Sequence, residues 1–298
     1  MTKSYQEIVG DGGSDILGQV TQQVALLRSR MDRVRHKVAI CGGKGGVGKS
    51  FVTSNLALAL ASRGHEVGVL DADLNGASTA RMLGVGGETL RVAPEGAQPA
   101  VAAMDIRVVS MDLLLPQGYV PLSWQGPPTH QFVWRGTMEA SAMREFLADI
   151  DWGELDMLLL DMPPGAEHLT DLSDLLPELA GIVAVTIPSA AAQPVVGRCV
   201  ARAVELKLPV LGVVENMAGY LCPSCGSKSH PFGMEGAGRD LASHFGVPFL
   251  GGIPFDPAAA TATDEGSPFV VEQPDSPVAA AFRGLAAKVW EAMEGGRL

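Results

Sequence analysis

Long apolar runs alternate with amphipathic stretches along most of the chain. The runs are continuous, a pattern typical of strands that are buried on both faces of a parallel sheet. Seven runs predict strands, at Lys37–Cys41, Glu66–Leu70, Ile106–Met111, Met157–Leu160, Ile182–Ile187, Val210–Val214 and Phe249–Ile253. Stretches with helical spacing of apolar residues lie between them, at Ser50–Ser62, Thr137–Ala148, Gln193–Leu206, Gly236–Phe245 and Val278–Met293. This alternation predicts an α/β fold with a doubly wound, mostly parallel sheet flanked by helices.

The first 33 residues differ from this pattern. A polar, glycine-containing start leads into a predicted helix, Ile16–Val34, which is either a docking helix or a loose leader. We therefore divide the chain into an N-terminal leader and helix, residues 1–33, and a main domain, residues 34–298. Gly84–Ala103 has the composition of a loop, and Pro116–Pro128 is rich in proline and glycine and is expected to be mobile.

A glycine-rich loop follows the first predicted strand and opens a predicted helix. Residues 43–50 fit G-x-x-x-x-G-K-[ST], the motif of phosphate-binding loops. Lys49 is predicted to reach the β- and γ-phosphates, and the Ser50 hydroxyl to ligate Mg²⁺. A glycine-rich turn without a ligand is the alternative, which the full motif in its strand–helix context disfavours. The predicted nucleotide-binding residues of the loop are Gly43, Lys44, Gly45, Gly46, Val47, Gly48, Lys49 and Ser50.

Two acidic strand ends are expected at the same edge of the sheet as this loop. Asp71 and Asp73 follow the second predicted strand, and Asp161 follows the fourth. A carboxylate at the C-terminal edge of a parallel strand faces the ligand crevice. We predict that Asp161 holds Mg²⁺, that Asp71 supports this coordination, and that Asp73 orients the attacking water. For any one of them alone, a turn or helix-cap role is the alternative.

The four cysteines divide into two kinds. Cys222 and Cys225 form a C-x-x-C pair, whose spacing lets both thiolates converge on one metal or cluster. A tetrahedral Zn²⁺ ion or a [4Fe–4S] cluster usually takes four ligands, which a two-fold dimer supplies by symmetry. A thioredoxin-like redox pair, half of a zinc knuckle and a structural loop are the alternatives. Cys41 and Cys199 are expected to be small buried residues.

Composition narrows the classes of partner. The 298 residues include 22 Lys and Arg against 33 Asp and Glu, a formal charge of −11. No nucleic-acid partner is expected, because such binding depends on basic residues. No apolar run approaches the roughly 20 residues of a membrane span, and no signal peptide is evident. We expect a cytoplasmic protein without stable membrane insertion, in which disulfides are not expected.

At these motifs the chain closely resembles the Mrp/ApbC family of P-loop iron–sulfur cluster carriers. Lys44 places it in the deviant Walker A group, KGGVGK[ST], which also contains MinD and ParA. The C-x-x-C pair after ENM separates the family from MinD and ParA. The resemblance extends from about residue 30 to the end and rests on CGGKGGVGKS at 41–50, LDADLNGAS at 70–78, VWRG at 133–136, DWGELDMLLLDMPPG at 151–165, ENMAGYLCPSCG at 215–226, FG at 232–233 and GVPFLGGIPFDP at 246–257.

The resemblance implies a homodimer that carries a labile [4Fe–4S] cluster between two Cys222/Cys225 pairs. Such a protein receives the cluster from a donor and transfers it to apo-proteins, and binding and slow hydrolysis of ATP with Mg²⁺ accompany the transfer. The cluster-binding loop corresponds to residues 215–233. The resemblance also assigns Lys44 to nucleotide phosphate and Asn216 to the base.

The chain departs from the family pattern after DMPPG. The family often continues Thr-Gly-Asp, whereas this chain has Ala166, Glu167 and His168, a change that bears on the hydrolysis rate. Phe51 also stands where Thr is frequent. The alternative function is a MinD/ParA-type regulatory or positioning ATPase, in which the C-x-x-C pair is a structural zinc site.

Overall fold

The computed structural model describes residues 16–94, 96–114, 131–222, 224–225 and 227–295. Its strands are β1 (Val34–Cys41), β2 (Val67–Asp71), β3 (Arg91–Ala93), β4 (Gly96–Gln98), β5 (Ala100–Val101), β6 (Arg107–Val109), β7 (Leu155–Asp161), β8 (Gly181–Thr186), β9 (Val210–Leu221), β10 (Lys228–Ser229) and β11 (Phe249–Phe255). Its helices are α1 (Ile16–Met31), α2 (Lys49–Ala61), α3 (Thr79–Met82), α4 (Gln131–Ala148), α5 (His168–Leu175), α6 (Gln193–Glu205), α7 (Ala237–Phe245), α8 (Pro257–Asp264), α9 (Phe269–Glu272) and α10 (Pro277–Glu294).

Nine of the strands form one sheet, in the order β10-β9-β8-β1-β7-β2-β6-β5, with β11 also paired to β9. Seven of them run parallel, and only β5 and β10 pair antiparallel with their neighbours. The chain places β2 and β6 on one side of β1, and β8 and β9 on the other. A parallel sheet that reverses its order in this way opens a crevice at the carboxyl ends of the central strands.

Helices cover both faces of the sheet, because its central strands are apolar on both sides. In β7, Met157 and Leu159 join one core, while Leu158 and Leu160 join the other. Helices α2 and α10 pack on the first face, and α1, α4 and α5 on the second. The predicted doubly wound α/β fold is therefore confirmed.

Helix α1 packs on the main body of the protein. Leu27 and Met31 are buried in the core of the second face. The buried Lys37 ammonium donates hydrogen bonds to the Met31 and Val34 carbonyls, both at 3.0 Å, and so terminates the helix. The predicted helix therefore ends at Met31 rather than at Val34, which instead begins β1 by pairing with Leu155 of β7. The domain division after residue 33 stays a prediction.

Strand β9 is longer than the sequence pattern predicts. It continues past Val214 to Leu221, because β11 pairs with it as far as Tyr220 and β10 pairs with Tyr220 and Leu221. Polar residues within the strand concealed this extension. As a result, Cys222 follows the strand directly.

Other boundaries also differ from the predictions. The predicted strand Ile106–Met111 shortens to β6 and a helical turn at Met111–Leu113, and the predicted helix Thr137–Ala148 begins earlier, at Gln131. The short strands β3 to β5 lie within Gly84–Ala103, which the composition predicted to be a loop, and Pro116–Pro128 lies outside the described residues. The short helices α3, α5, α8 and α9 were not predicted. Within the described ranges, no helix combines the length and apolarity needed to cross a membrane.

Candidate nucleotide and cysteine sites

The glycine-rich loop joins the central strand β1 to the N-terminus of α2. Gly46 and Gly48 have φ angles of 82° and 83°, in the left-handed region that glycine adopts without strain. A Cβ atom at Gly43 would overlap the backbone of Val195 in α6. The local geometry thus favours glycine at positions 43, 46 and 48. The loop lies at the N-terminus of a 13-residue helix, where anions are stabilised.

Asn216 of β9 fixes the loop from the other side. Its side-chain amide is buried and donates a hydrogen bond to the Val47 carbonyl at 3.0 Å. A Cβ atom at Gly48 would overlap the same amide nitrogen. The residue that the resemblance assigns to the base is therefore in direct contact with the phosphate loop.

The two lysines of the loop differ in exposure. Lys49 is buried, and its aliphatic chain packs so closely on Gly42 that a Cβ atom there would lie 2.9 Å from it. Lys44 is half-buried, on the loop itself. Lys49 is thus held in one place, whereas Lys44 lies nearer the surface.

Asp161 is a fully buried carboxylate at the end of β7. Thr53 donates a hydrogen bond to its Oδ1 at 3.2 Å, and the Ser50 hydroxyl also donates to the carboxylate. Among the described residues, nothing donates to Oδ2. Burial and the neighbouring Asp71 charge raise the pKa of Asp161 to about 7. A buried acceptor without a partner next to a hydroxyl fits a bound Mg²⁺ ion, for which oxygen atoms are the preferred ligands.

Asp71 pairs with Asp161 in the register of β2 and β7, so two buried carboxylates are adjacent. Burial raises the pKa of Asp71 as well. Its Oδ2 accepts hydrogen bonds from the amides of Ser78 and Thr79 and from two hydroxyl groups. These bonds fix the loop that carries the half-buried Asp73. Three hydroxyl groups that bond to the two carboxylates were not predicted, those of Thr53, Thr79 and Ser110, because no local pattern marks them.

A cavity of about 200 Å³ adjoins the phosphate loop at Gly48. Asn216 and Met217 of β9 border it on one side, and the Pro254–Asp256 segment borders it on another. Phe51, the residue that departs from the family pattern, lies against this cavity and packs edge-on against Phe282 of α10. Asn216, which the resemblance assigns to the base, therefore borders the same cavity as the Pro254–Asp256 segment. The remaining lining residues are Met82, Ala260, Thr263 and Asp264.

The Cys222/Cys225 pair lies at the end of β9, at the surface. The Cys222 amide donates to the Ser227 carbonyl at 3.0 Å, and the Cys225 sulfur lies 3.1 Å from the Ser227 hydroxyl. Hydrogen bonds from Ser227 and from the Cys222 thiol lower the pKa of Cys225. The two thiols are thus in contact, and the lowered pKa of Cys225 suits a thiolate ligand.

The other two cysteines are buried, as predicted. Burial raises the pKa of Cys41 well above its usual value and that of Cys199 to about 11. Within the described parts of the chain, no group of three or more Cys, His, Asp or Glu side chains is placed to hold a metal ion. His230 instead lies 3.8 Å from Glu235. One chain therefore offers two thiol ligands.

The segment that departs from the family lies near the phosphate loop and α4. The Gly165 amide donates to the Gly42 carbonyl of the phosphate loop at 3.3 Å, and α5 begins at His168. His168 and Asp171 border a small cavity beside Asn75. This places His168 against the loop that follows β2.

The phosphate loop at the centre of a parallel sheet makes this chain a P-loop NTPase. A family model described as ParA, the NUBPL iron-transfer P-loop NTPase, matches residues 33–290. The chain belongs to this family. An iron–sulfur cluster carrier protein of Saccharolobus solfataricus is 41% identical over 283 residues, 93% of this chain and 92% of its own. The human cytosolic Fe–S cluster assembly factor NUBP2 is 39% identical over 264 residues, 87% of this chain and 93% of its own.

Solved structures agree with this assignment. A nucleotide-binding protein from Archaeoglobus fulgidus in complex with ADP has a TM-score of 0.69 and 34% identity, and the match covers 82% of this chain and 92% of that one. The cell division ATPase MinD of Pyrococcus furiosus has a TM-score of 0.60 and 26% identity, over 86% of this chain and 99% of that one. The predicted family and fold are therefore confirmed.

Proposed function

We propose that the protein is an ATP-binding and ATP-hydrolysing iron–sulfur cluster carrier. It holds a labile [4Fe–4S] cluster between two copies of the chain and transfers it to apo-proteins in the cytoplasm. The observation that carries this proposal is the surface pair Cys222 and Cys225, in contact at the end of the strand that also fixes the phosphate loop. The names of the relatives, which are carriers and assembly factors, support it.

In the proposed nucleotide site, the backbone amides of residues 43–50 surround the phosphates. Lys49 contacts the β- and γ-phosphates, and Lys44 reaches phosphate across the dimer interface. Ser50 and Asp161 would hold Mg²⁺, with Asp71 supporting them, and the metal would supply neutralisation of phosphate charge. Asp73 orients the attacking water. The ADP in the Archaeoglobus fulgidus relative supports nucleotide binding at this loop.

In the proposed cluster site, the cluster is cargo rather than a fixed part of the protein. Each copy supplies Cys222 and Cys225, and a two-fold axis supplies four thiolates. Cys225 is exposed and Cys222 is half-buried, which suits loading by a donor and release to an apo-protein. Dimerisation is therefore part of the proposed chemistry.

The alternative of a membrane-positioning ATPase rests on the amphipathic helix α10. Its apolar residues Val278, Phe282, Leu285 and Val289 are buried against α2 and the sheet. That face is already occupied, which favours the carrier over a protein that inserts α10 into a membrane surface.

Anaerobic purification tests the proposal. Wild-type protein is expected to hold, or to take up on reconstitution, about four iron and four sulfide per two chains. Cys222→Ala and Cys225→Ala should each abolish this content, while the buried control Cys199→Ala should retain it. Bound zinc without sulfide, or full iron content in both surface variants, would overturn the carrier and favour a regulatory ATPase with a zinc site.

A further inference from the structure

Strand β9 connects the two proposed sites directly. Asn216 and Met217 border the cavity beside the phosphate loop, and Cys222 is only a few residues further along. Cys222 is five residues after Met217, at most about 17 Å of chain at roughly 3.3 Å per residue. This short stretch of chain links the cavity to the thiols.

Met217 has a backbone conformation that is unusual for a residue with a side chain. Its φ angle is 58°, in the left-handed region. Strain of this kind persists only where the surroundings enforce it, and it is concentrated at functional sites. The surroundings here are the cavity on one side and, one residue earlier, the hydrogen bond from Asn216 to Val47.

Beyond Met217, the strand is tied to the segment that carries the thiols. Tyr220 and Leu221 pair with Ser229 and Lys228 in β10, and the Cys222 amide bonds to Ser227. At Gly219, with φ of 77°, the ends of the Glu235 and Lys228 side chains lie where a Cβ atom would be. A change in the backbone conformation of Met217 is thus expected to reach the cysteines, because pairing and hydrogen bonds constrain the residues between them.

A second tie joins the strand to the segment behind the thiols. The Glu215 carboxylate is buried and accepts hydrogen bonds from the amides of Gly236 and Gly238. Glu235, the residue before Gly236, forms an ion pair with Lys228 of β10 at 2.8 Å. Both the strand and its flanking loop therefore follow the position of residues 215–217.

We propose that Met217 is a positioning residue that couples occupancy of the cavity to the Cys222/Cys225 pair. A nucleotide base packed against Met217 restricts the end of β9, and this lowers the reactivity of the two thiols. The inference rests on the proposed nucleotide site. It adds the path of the coupling, along the end of β9, and its direction, a lower reactivity of the thiols when nucleotide is bound.

Alkylation by iodoacetamide of the full-length, reduced, metal-free protein tests the coupling, with each cysteine followed by peptide mass. Saturating ADP, with binding checked by calorimetry, is expected to slow alkylation of Cys222 and Cys225 at least about five-fold, the lower range of allosteric coupling. Met217→Gly removes the side chain and the strain and should leave less than about a two-fold effect.

The chain offers a matched control at Met104. This methionine also has a left-handed φ, 59°, but lies before β6, five strands away from β9 in the sheet. Met104→Gly should keep the full effect of ADP. The coupling is overturned if bound ADP leaves the alkylation rate of the wild type unchanged or raises it. It is also overturned if ADP slows alkylation of Met217→Gly as much as that of the wild type. Both outcomes leave the nucleotide site intact. Absence of ADP binding in the wild type would instead remove the proposed nucleotide site, and the coupling with it.

Discussion

Strand β9 contributes residues to both the nucleotide site and the cysteine site, but the two sites are built in opposite ways. Around the phosphate loop, Asp71, Asp161 and Lys49 are buried. Neighbouring groups leave no room for a Cβ atom at Gly43 or Gly48. At the other end of β9, Cys222 and Cys225 lie at the surface with few partners. Apart from Lys44, which is proposed to reach across the dimer interface, the first site is preorganised within one chain, whereas the second is half of a site. A buried, preorganised site suits the proposed nucleotide, whereas a surface site made of two halves suits a cluster that is to be released.

The largest predicted contrast concerns the thiols themselves. At pH 8 the native protein is expected to react at Cys222 and Cys225, whereas Cys41 and Cys199 react more slowly by about a thousand-fold or more. The reason is that burial raises the pKa of Cys199 to about 11, while Ser227 lowers the pKa of Cys225, and the thiolate is the reactive form. Thiol titration should count two groups per native chain and four after denaturation. Four in the native protein would contradict the contrast.

Lys49→Ala is expected to affect only the preorganised site. Loss of a buried cation that faces phosphate should lower ATP hydrolysis by about 10² to 10³. Chemically reconstituted iron content should stay at the wild-type level, because the thiols lie at the other end of β9. Parallel loss of iron would show that the two sites fold as one unit, and unchanged hydrolysis would exclude Lys49 from the site.

These two sites were not equally predictable from sequence. The phosphate loop follows a local rule, since glycine spacing, Lys49 and Ser50 lie within nine residues between a strand and a helix. The length of β9 depends instead on β10 and β11, whose pairing no pattern within Glu215–Leu221 reveals. Helix α5 was missed because it is short and buries only Leu169 and Leu172. The left-handed φ of Met217 likewise depends on tertiary contacts, and no residue preference signals it.

The third prediction concerns the pH dependence of stability, through Asp161. Its pKa is about 7 in the folded protein and about 4 in an unfolded chain, so between these values unfolding releases a proton. The carboxylate therefore destabilises the metal-free protein progressively from pH 4 to pH 7, and by a constant amount above. With EDTA at pH 8, Asp161→Asn should raise the free energy of unfolding by about 2 kcal/mol, and by much less at pH 4.5.

Mg²⁺ provides the control for this prediction. Adding the ion should stabilise the wild type in urea unfolding but not Asp161→Asn, because only the wild type has the carboxylate. A metal-free wild type that is more stable than the variant at pH 8 would mean that the Ser50 and Thr53 hydrogen bonds outweigh the cost of burying the charge.

The smallest expected effect is in the open site, at the ion pair between Lys228 and Glu235. Its nitrogen and oxygen atoms are 2.8 Å apart, but the Lys228 side chain is 52% exposed and Glu235 is 32% exposed. Since water and salt screen such pairs, Lys228→Ala should lower the free energy of unfolding by only about 0.5 kcal/mol, and 1 M salt should remove most of the difference. A loss above about 2 kcal/mol in urea unfolding would mean that the cysteine site is held as firmly as the nucleotide site, and the contrast between them would fail.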